Sequence, residues 1–192
     1  MANYLKSIIE VHANEEAIKY IDGILDDIKT GNITSFAQTF YDNVEVAEGG
    51  GVMNNWSYDN LGSKWTYLED NNGDGSFTLT SAWYPPTKFF IHLYKMLVEI
   101  DSDVFIEVVY EDEGYDPIGA IVIKKDGDGT PCIWVEEDEM EDPTIDMDWE
   151  DKGYDEVQME FMESIYERQQ EMLKECHYLV NTDGEPIDEY KD

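Results

Sequence analysis

Positive charge is the scarcest property of this 192-residue chain. Its 12 lysines and arginines, of which only Arg168 is an arginine, stand against 45 aspartates and glutamates, and the formal net charge is −33. Such a field repels nucleic acid and anionic membrane surfaces, and it attracts basic proteins and divalent cations. The composition therefore argues against direct binding of nucleic acid or membrane and favours a basic protein partner.

Cysteines and long apolar runs are scarce as well. Cys132 and Cys176 are the only cysteines and form no CxxC pair, which predicts two free thiols in a reducing compartment. The first residues lack the apolar segment of a signal peptide, and no apolar run approaches membrane-spanning length. We therefore expect a cytoplasmic protein, with 42% hydrophobic residues available for a core.

Motifs for catalysis or cofactor binding are missing. The sequence has no phosphate-binding loop, no GxGxxG and no GxSxG. His12, His92 and His177 lack the paired spacing of zinc ligands, so packing and surface roles are expected for them. A nucleophile paired with a histidine distant in sequence stays open. The prediction is a protein without enzyme activity and without a cofactor.

Hydrophobic periodicity predicts an α+β protein. The expected strands cover residues 3–12, 64–69, 76–83, 104–110, 119–125 and 132–135, and the expected helices begin near residues 14, 87 and 154. The order βα, ββ, α, ββ is that of ferredoxin-like folds. We predict a ferredoxin-like antiparallel sheet with two helices over residues 1–130. Residues 131–192 are expected to be an acidic C-terminal extension with a long helix at about 154–178.

Two motifs in the middle of the chain resemble those of a known family. Gly62-Ser63-Lys64-Trp65 is similar to Gly-Thr-Lys-Trp, and Ser81-Ala82-Trp83-Tyr84-Pro85-Pro86 is similar to Thr-Ala-Trp-Ser-Pro-Pro. On these motifs residues 3–127 resemble the ferredoxin-like domain of Api92-like proteins of bacteriophages and mobile elements. The resemblance implies a fold and a phage-type origin in a bacterial host cell, and it implies no reaction. Trp65 and Trp83 are expected to pack in the core.

Acidic residues are concentrated after residue 100. Residues 1–100 hold 14 of them and residues 101–192 hold 31, most densely from Glu136 to Glu167. Met140, Ile145, Met147 and Trp149 lie within this region, either as hydrophobic anchors for a partner or as contacts that dock the region onto the sheet. The candidate partner-binding residues are Glu136, Glu137, Asp138, Glu139, Glu141, Asp142, Asp146, Asp148, Trp149, Glu150, Asp151, Glu156, Glu160, Glu163 and Glu167.

Three functions are compatible with these patterns. The first is nucleic-acid mimicry, in which the acids occupy the basic groove of a nucleic-acid-binding host protein and inhibit or modulate it. The second is a small phage structural or assembly module whose acidity serves solubility. The third is a weak calcium-binding protein centred on Asp70, Asn72 and Asp74, which match the first half of a calcium loop. Because Ser81 occupies the twelfth position, where an acid is needed, a hairpin turn is the preferred interpretation of this run.

Overall fold

A six-stranded antiparallel sheet organises the computed structural model, which describes residues 3–29, 36–46, 48, 52–125, 131–145, 147–148 and 153–178. The elements are, in chain order, β1 (Tyr4–His12), α1 (Glu15–Lys29), α2 (Phe36–Phe40), α3 (Asn54–Leu61), β2 (Lys64–Gly73), β3 (Ser76–Ala82), α4 (Thr87–Leu97), β4 (Phe105–Asp112), β5 (Ile118–Lys125), β6 (Pro131–Asp138) and α5 (Tyr154–Tyr178). The predicted α+β class is confirmed.

The sheet has the strand order β2-β3-β1-β4-β5-β6, with β1 pairing antiparallel to both β3 and β4. Side chains of β1 alternate, so that Leu5 and Ile9 are buried whereas Tyr4, Lys6 and Ile8 are exposed. Since successive residues of a strand point to opposite faces, this alternation defines two faces of the sheet. The face that carries Leu5 and Ile9 is called the inner face below, and the opposite one the outer face.

Helices α1 and α4 contribute to the core on the inner face. Ala17, Ile21 and Leu25 recur at helical spacing on α1 and are fully buried. The side chain of Asn14 caps α1 by accepting a 3.0 Å hydrogen bond from the backbone N–H of Ala17. The described part of residues 1–130 holds four helices instead of the expected two, because α2 and α3 are short helices within the connection from α1 to β2.

The outer face is covered on one side by α5. Strand β5 is buried on both faces: Ile121 and Ile123 belong to the inner core, and Ile118, Ala120 and Val122 form a second core with α5. The residues that α5 contributes to it are Phe161, Ile165, Met172, Leu173 and Cys176. The expected domain boundary at residue 130 lies between β5 and β6, two paired strands of one sheet. In the described part of residues 131–178, β6 is therefore paired into the sheet and α5 packs on it.

Helix α5 is also the longest helix of the described chain. It spans 25 residues but carries seven acidic side chains. Among the described helices, none combines the length and the apolar composition needed to cross a membrane.

The second core provides a test of whether α5 and the sheet unfold together. Ile165 is 1% exposed, so Ile165→Ala leaves a cavity and should lower the free energy of unfolding by about 2–4 kcal/mol. Met159 lies on the same helix and is 69% exposed, so Met159→Ala should change it by no more than about 0.5 kcal/mol. Urea unfolding followed by circular dichroism and by tryptophan fluorescence measures both. Two separate transitions, with only the helical signal shifted by Ile165→Ala, would contradict a shared core.

Candidate protein-binding surface

The outer face is open where α5 does not cover it, along β1, β2 and β3. A groove of about 430 Å³ lies there. Its lining combines aromatic rings with carboxylates around a single lysine: Tyr4, Lys6, Tyr67, Glu69, Thr80, Glu111, Asp112, Glu113 and Tyr115. Tyr115 joins the groove to α5, because its ring packs edge-on against Phe161 with centroids 5.0 Å apart. The groove thus runs between the open strands and the first half of α5.

Carboxylates dominate the polar lining of the groove. Lys6 and Glu111 are cross-strand partners, and Glu69 accepts a 2.8 Å hydrogen bond from the hydroxyl of Thr80. Asp112 is buried and structural, since its carboxylate accepts hydrogen bonds from the backbone N–H groups of Gly114 at 2.7 Å and Asp116 at 3.0 Å. Burial raises the pKa of Glu111 above its ordinary value, and the charge of Lys6 opposes this only in part. A positively charged group placed in the groove would relieve that cost.

An exposed cluster of aromatic side chains adjoins the groove. Trp65 and Trp83 have ring centroids 6.3 Å apart, and Tyr4 lies 5.8 Å from Trp65. The ammonium of Lys64 stands over Trp83, 4.6 Å from the ring centroid. Both tryptophans are 40% exposed, so the expectation that they pack in the core is wrong.

The backbone explains why these tryptophans leave the core. Trp65 has φ 25° and Trp83 has φ 63°, values that side-chain-bearing residues adopt at a cost of about 1–3 kcal/mol. The pairing of β2 with β3 is irregular between Lys64 and Tyr67, which breaks the alternation of faces at Trp65. Trp83 follows the last residue of β3 and no longer obeys the strand pattern.

The surface of α5 that faces away from the sheet carries a row of glutamates. Glu156, Glu160, Glu163 and Glu167 are all exposed, which places these four candidate residues on one side of the helix. At a rise of about 1.5 Å per residue, the row is on the order of 17 Å long. Four charges over that length are sparser than the one per ~3.4 Å of a single DNA strand. Mimicry of a nucleic acid therefore needs acids from neighbouring segments too.

Hydrophobic side chains stand exposed among the acids of this region. Met159 is 69% exposed and Tyr166 61% exposed on α5, and Ile145 is 82% exposed in the segment before it. Met140 is different, since it packs against the second core and docks its segment onto the protein. The sequence leaves open whether these side chains pack or serve as anchors for a partner. Met140 packs, whereas Ile145 is exposed, as an anchor for a partner would have to be. Trp149 lies outside the described residues.

The acids of β6 and of the segment after it are dispersed. Glu137 accepts a 2.5 Å hydrogen bond from the hydroxyl of Tyr110 on the inner side, whereas Glu136 belongs to the outer face. Asp138 is paired at 2.8 Å with Arg168 of α5, whose guanidinium lowers the pKa of that carboxyl. Asp142 accepts hydrogen bonds from the backbone and hydroxyl of Thr144.

The remaining candidates of this region divide into exposed and undescribed residues. Glu139, Glu141 and Asp148 are exposed. The other candidates, Asp146, Glu150 and Asp151, lie outside the described residues. Among the candidates that the structure describes, the row on α5 is thus the set brought together on one surface.

The acidic turn at Asp70, Asn72 and Asp74 is a hairpin between β2 and β3. Asp74 and Gly75 form the turn, with φ 55° and 78°, and Asp70 is paired with Lys29 of α1. The preferred interpretation of this run as a hairpin is confirmed. Because Lys29 already neutralises Asp70, the turn offers a cation less negative charge than the sequence suggests.

Sequence reasoning missed the groove. The alternation of Tyr4, Lys6 and Ile8 in β1 is a sequence signal for an exposed second face. No local pattern shows, however, that Tyr67 of β2 and Glu111 of β4 lie beside these residues. Comparison with known proteins finds no family model, no characterised protein and no solved structure that matches this chain.

Glu111, the partly buried carboxylate of the groove, provides a test by pH. A raised pKa in the folded state means that ionised Glu111 destabilises the fold at neutral pH, and that this penalty disappears as the pH falls below the ordinary value of 4.5. We expect Glu111→Gln to raise the free energy of unfolding at neutral pH and to lose this advantage in acid. Urea unfolding at both pH values measures it. The control is Glu113→Gln, an exposed neighbour, and an equal gain from it would assign the effect to net charge.

Proposed function

We propose that this protein binds a basic, nucleic-acid-binding host protein and inhibits or modulates it by presenting carboxylates where that protein receives phosphates. The observation that carries the proposal is the exposed glutamate row of α5 with Met159 and Tyr166 among the acids. Interfaces commonly combine a few hydrophobic or aromatic anchors with a charged rim. Because the charge of the row is sparse, mimicry would also require acids from outside the row, for which the exposed Glu139 and Glu141 and the carboxylates of the groove are candidates.

The fold and origin belong to the same proposal. The first four strands have the order β2-β3-β1-β4, with α1 following β1 and α4 following β3, and this supports a ferredoxin-like βαββαβ unit. The resemblance of residues 3–127 to Api92-like proteins supports a phage or mobile-element source. In that setting the partner would be a host protein in the bacterial cytoplasm, and no cofactor is required.

Neutralising the row on α5 tests the proposal. The variant Glu156→Gln/Glu160→Gln/Glu163→Gln/Glu167→Gln removes four charges, and it should fold at least as well because like charges at this spacing repel one another. We expect capture of basic nucleic-acid-binding proteins from nuclease-treated bacterial lysate to fall by about tenfold or more. Quantitative mass spectrometry of the captured proteins measures the loss.

The control variant removes the same number of charges from other surfaces of the protein. It replaces exposed Glu16, Asp42, Glu45 and Glu99 by the corresponding amides, and capture should be retained. Duplex DNA added as a competitor should displace the captured proteins, and rising salt should elute them. Equal loss in both variants, or captured proteins that DNA does not displace, would contradict mimicry.

A second function is favoured by one observation, the exposed cluster of Tyr4, Trp65 and Trp83. An assembly module of a phage particle would use such an aromatic surface, and its contacts would resist salt. Trp65→Gly/Trp83→Gly removes both rings and relieves the positive φ values, so the variant should remain folded. Salt-resistant association that this variant loses, measured by light scattering or co-purification, would favour assembly over mimicry.

A further inference from the structure

A cluster of imidazoles and carboxylates lies on the outer face, at the opposite end of β1 from the groove. Glu10 and His12 project from β1, and Glu107 is the direct cross-strand partner of Glu10 on β4. The Nε2 atom of His12 lies 2.7 Å from Oε2 of Glu107 and 3.9 Å from Oε2 of Glu10. One ligand atom from each of the three residues falls within 4.8 Å of the others.

Two like charges placed opposite each other on neighbouring strands destabilise a sheet unless a cation lies between them. Here the arrangement of Glu10 and Glu107 is that of a cation site. An imidazole nitrogen, that of His12, lies near both carboxylates. This mixed set of ligand atoms suits a metal ion better than the ammonium group of a lysine.

The last described turn of α5 completes the surroundings of Glu107. His177 Nε2 lies 2.5 Å from Oε1 of Glu107, so its imidazole and that of His12 contact different oxygens of one carboxylate. Both imidazoles pack on Phe105: His12 is stacked on it with centroids 4.2 Å apart, and His177 meets it edge-on at 5.9 Å. Glu107 is only 18% exposed, so its orientation is fixed from two sides.

We propose that Glu10, His12 and Glu107 bind one divalent transition-metal ion of the zinc class, with His177 as a positioning residue that holds Glu107 by its second oxygen. Zinc–nitrogen and zinc–oxygen bonds of about 2.0–2.2 Å place tetrahedral ligand atoms about 3.4 Å apart, so the 2.7 Å contact between His12 and Glu107 must open to admit the ion and Glu10 must move in. The exposed side chain of Glu10 has the freedom to do so. An imidazole among the ligands favours zinc over magnesium or calcium, which prefer oxygen ligands alone. A carboxylate held by a second hydrogen bond is typical of metal centres.

Local sequence patterns do not indicate this site. His12 and His177 lie near opposite ends of the chain and have no paired spacing, so packing or surface roles were expected for them. The pairing of β1 with β4 and the docking of α5 bring their side chains to the same carboxylate. The site does not depend on the proposed binding of a basic partner.

Titration of the full chain with Zn²⁺ by calorimetry tests the proposal. A large excess of Mg²⁺ must be present, because it occupies the many surface carboxylates without competing for imidazole. We expect one equivalent of Zn²⁺ to bind under these conditions. His12→Ala and Glu107→Gln should abolish this equivalent, whereas His177→Ala should weaken it by about tenfold or more and keep the stoichiometry. Co²⁺ in place of Zn²⁺ provides a spectroscopic readout of the coordination geometry.

The control for histidine is His92→Gln, which lies outside the cluster with its Nε2 bonded to the carbonyl of Phe40, and it should retain the Zn²⁺ equivalent. Circular dichroism verifies folding of each variant. If His12→Ala or Glu107→Gln does not fold, Glu10→Gln at its exposed position gives the same test and should lower the affinity at least tenfold. Absence of a stoichiometric equivalent under excess Mg²⁺, or full binding by folded His12→Ala, would overturn the proposal.

Discussion

The apolar contact between α5 and β5 determines which surfaces of this protein face solvent. Ile118, Ala120 and Val122 would lie bare on the outer face without Phe161 and Ile165 above them. Helix α5 is rich in glutamate, and most of the stability of a helix in a protein comes from packing of its apolar side. The contact between α5 and β5 thus covers one side of the outer face and leaves the other side as a groove. It also holds the glutamate row at the surface.

Electrostatic repulsion works against that contact. With a formal net charge of −33, the folded chain concentrates acids that the unfolded chain keeps apart. The chain's only arginine joins two acidic elements: Arg168 pairs with Asp138 on β6 and with Glu171 and Glu175 on α5, so it ties strand and helix together. Arginine suits this position because its planar group can contact several carboxylates at once. The ion pairs of Arg168 do not include the four glutamates of the row. The repulsion among these glutamates is offset by the apolar packing of the second core.

Local patterns predicted the elements better than their arrangement. The hydrophobic periodicity of α1, α4 and α5 is a property of neighbouring residues, and the structure has helices at these places. Whether β6 joins the sheet depends on the pairing of Val135 with Ile121, which no local pattern shows. The run from Ile118 to Ile123 has little polar interruption because β5 is buried on both faces, and that is also the sequence signal that a second layer covers it. The groove and the His12–Glu107–His177 cluster arise only from tertiary pairing.

Features that cost folding free energy meet on the outer face. Glu111 is a partly buried carboxylate, and Trp65 and Trp83 hold positive φ values at exposed positions. If this face only completed the fold, mutations that remove these unfavourable free energies would be expected, since stabilising replacements are easy to find. Strain and uncompensated charge persist where binding depends on them. A cation, whether a metal ion or a basic side chain of a partner, would offset the carboxylate costs, and an apolar group would cover the tryptophans. These costs support the proposal that the outer face is a binding surface.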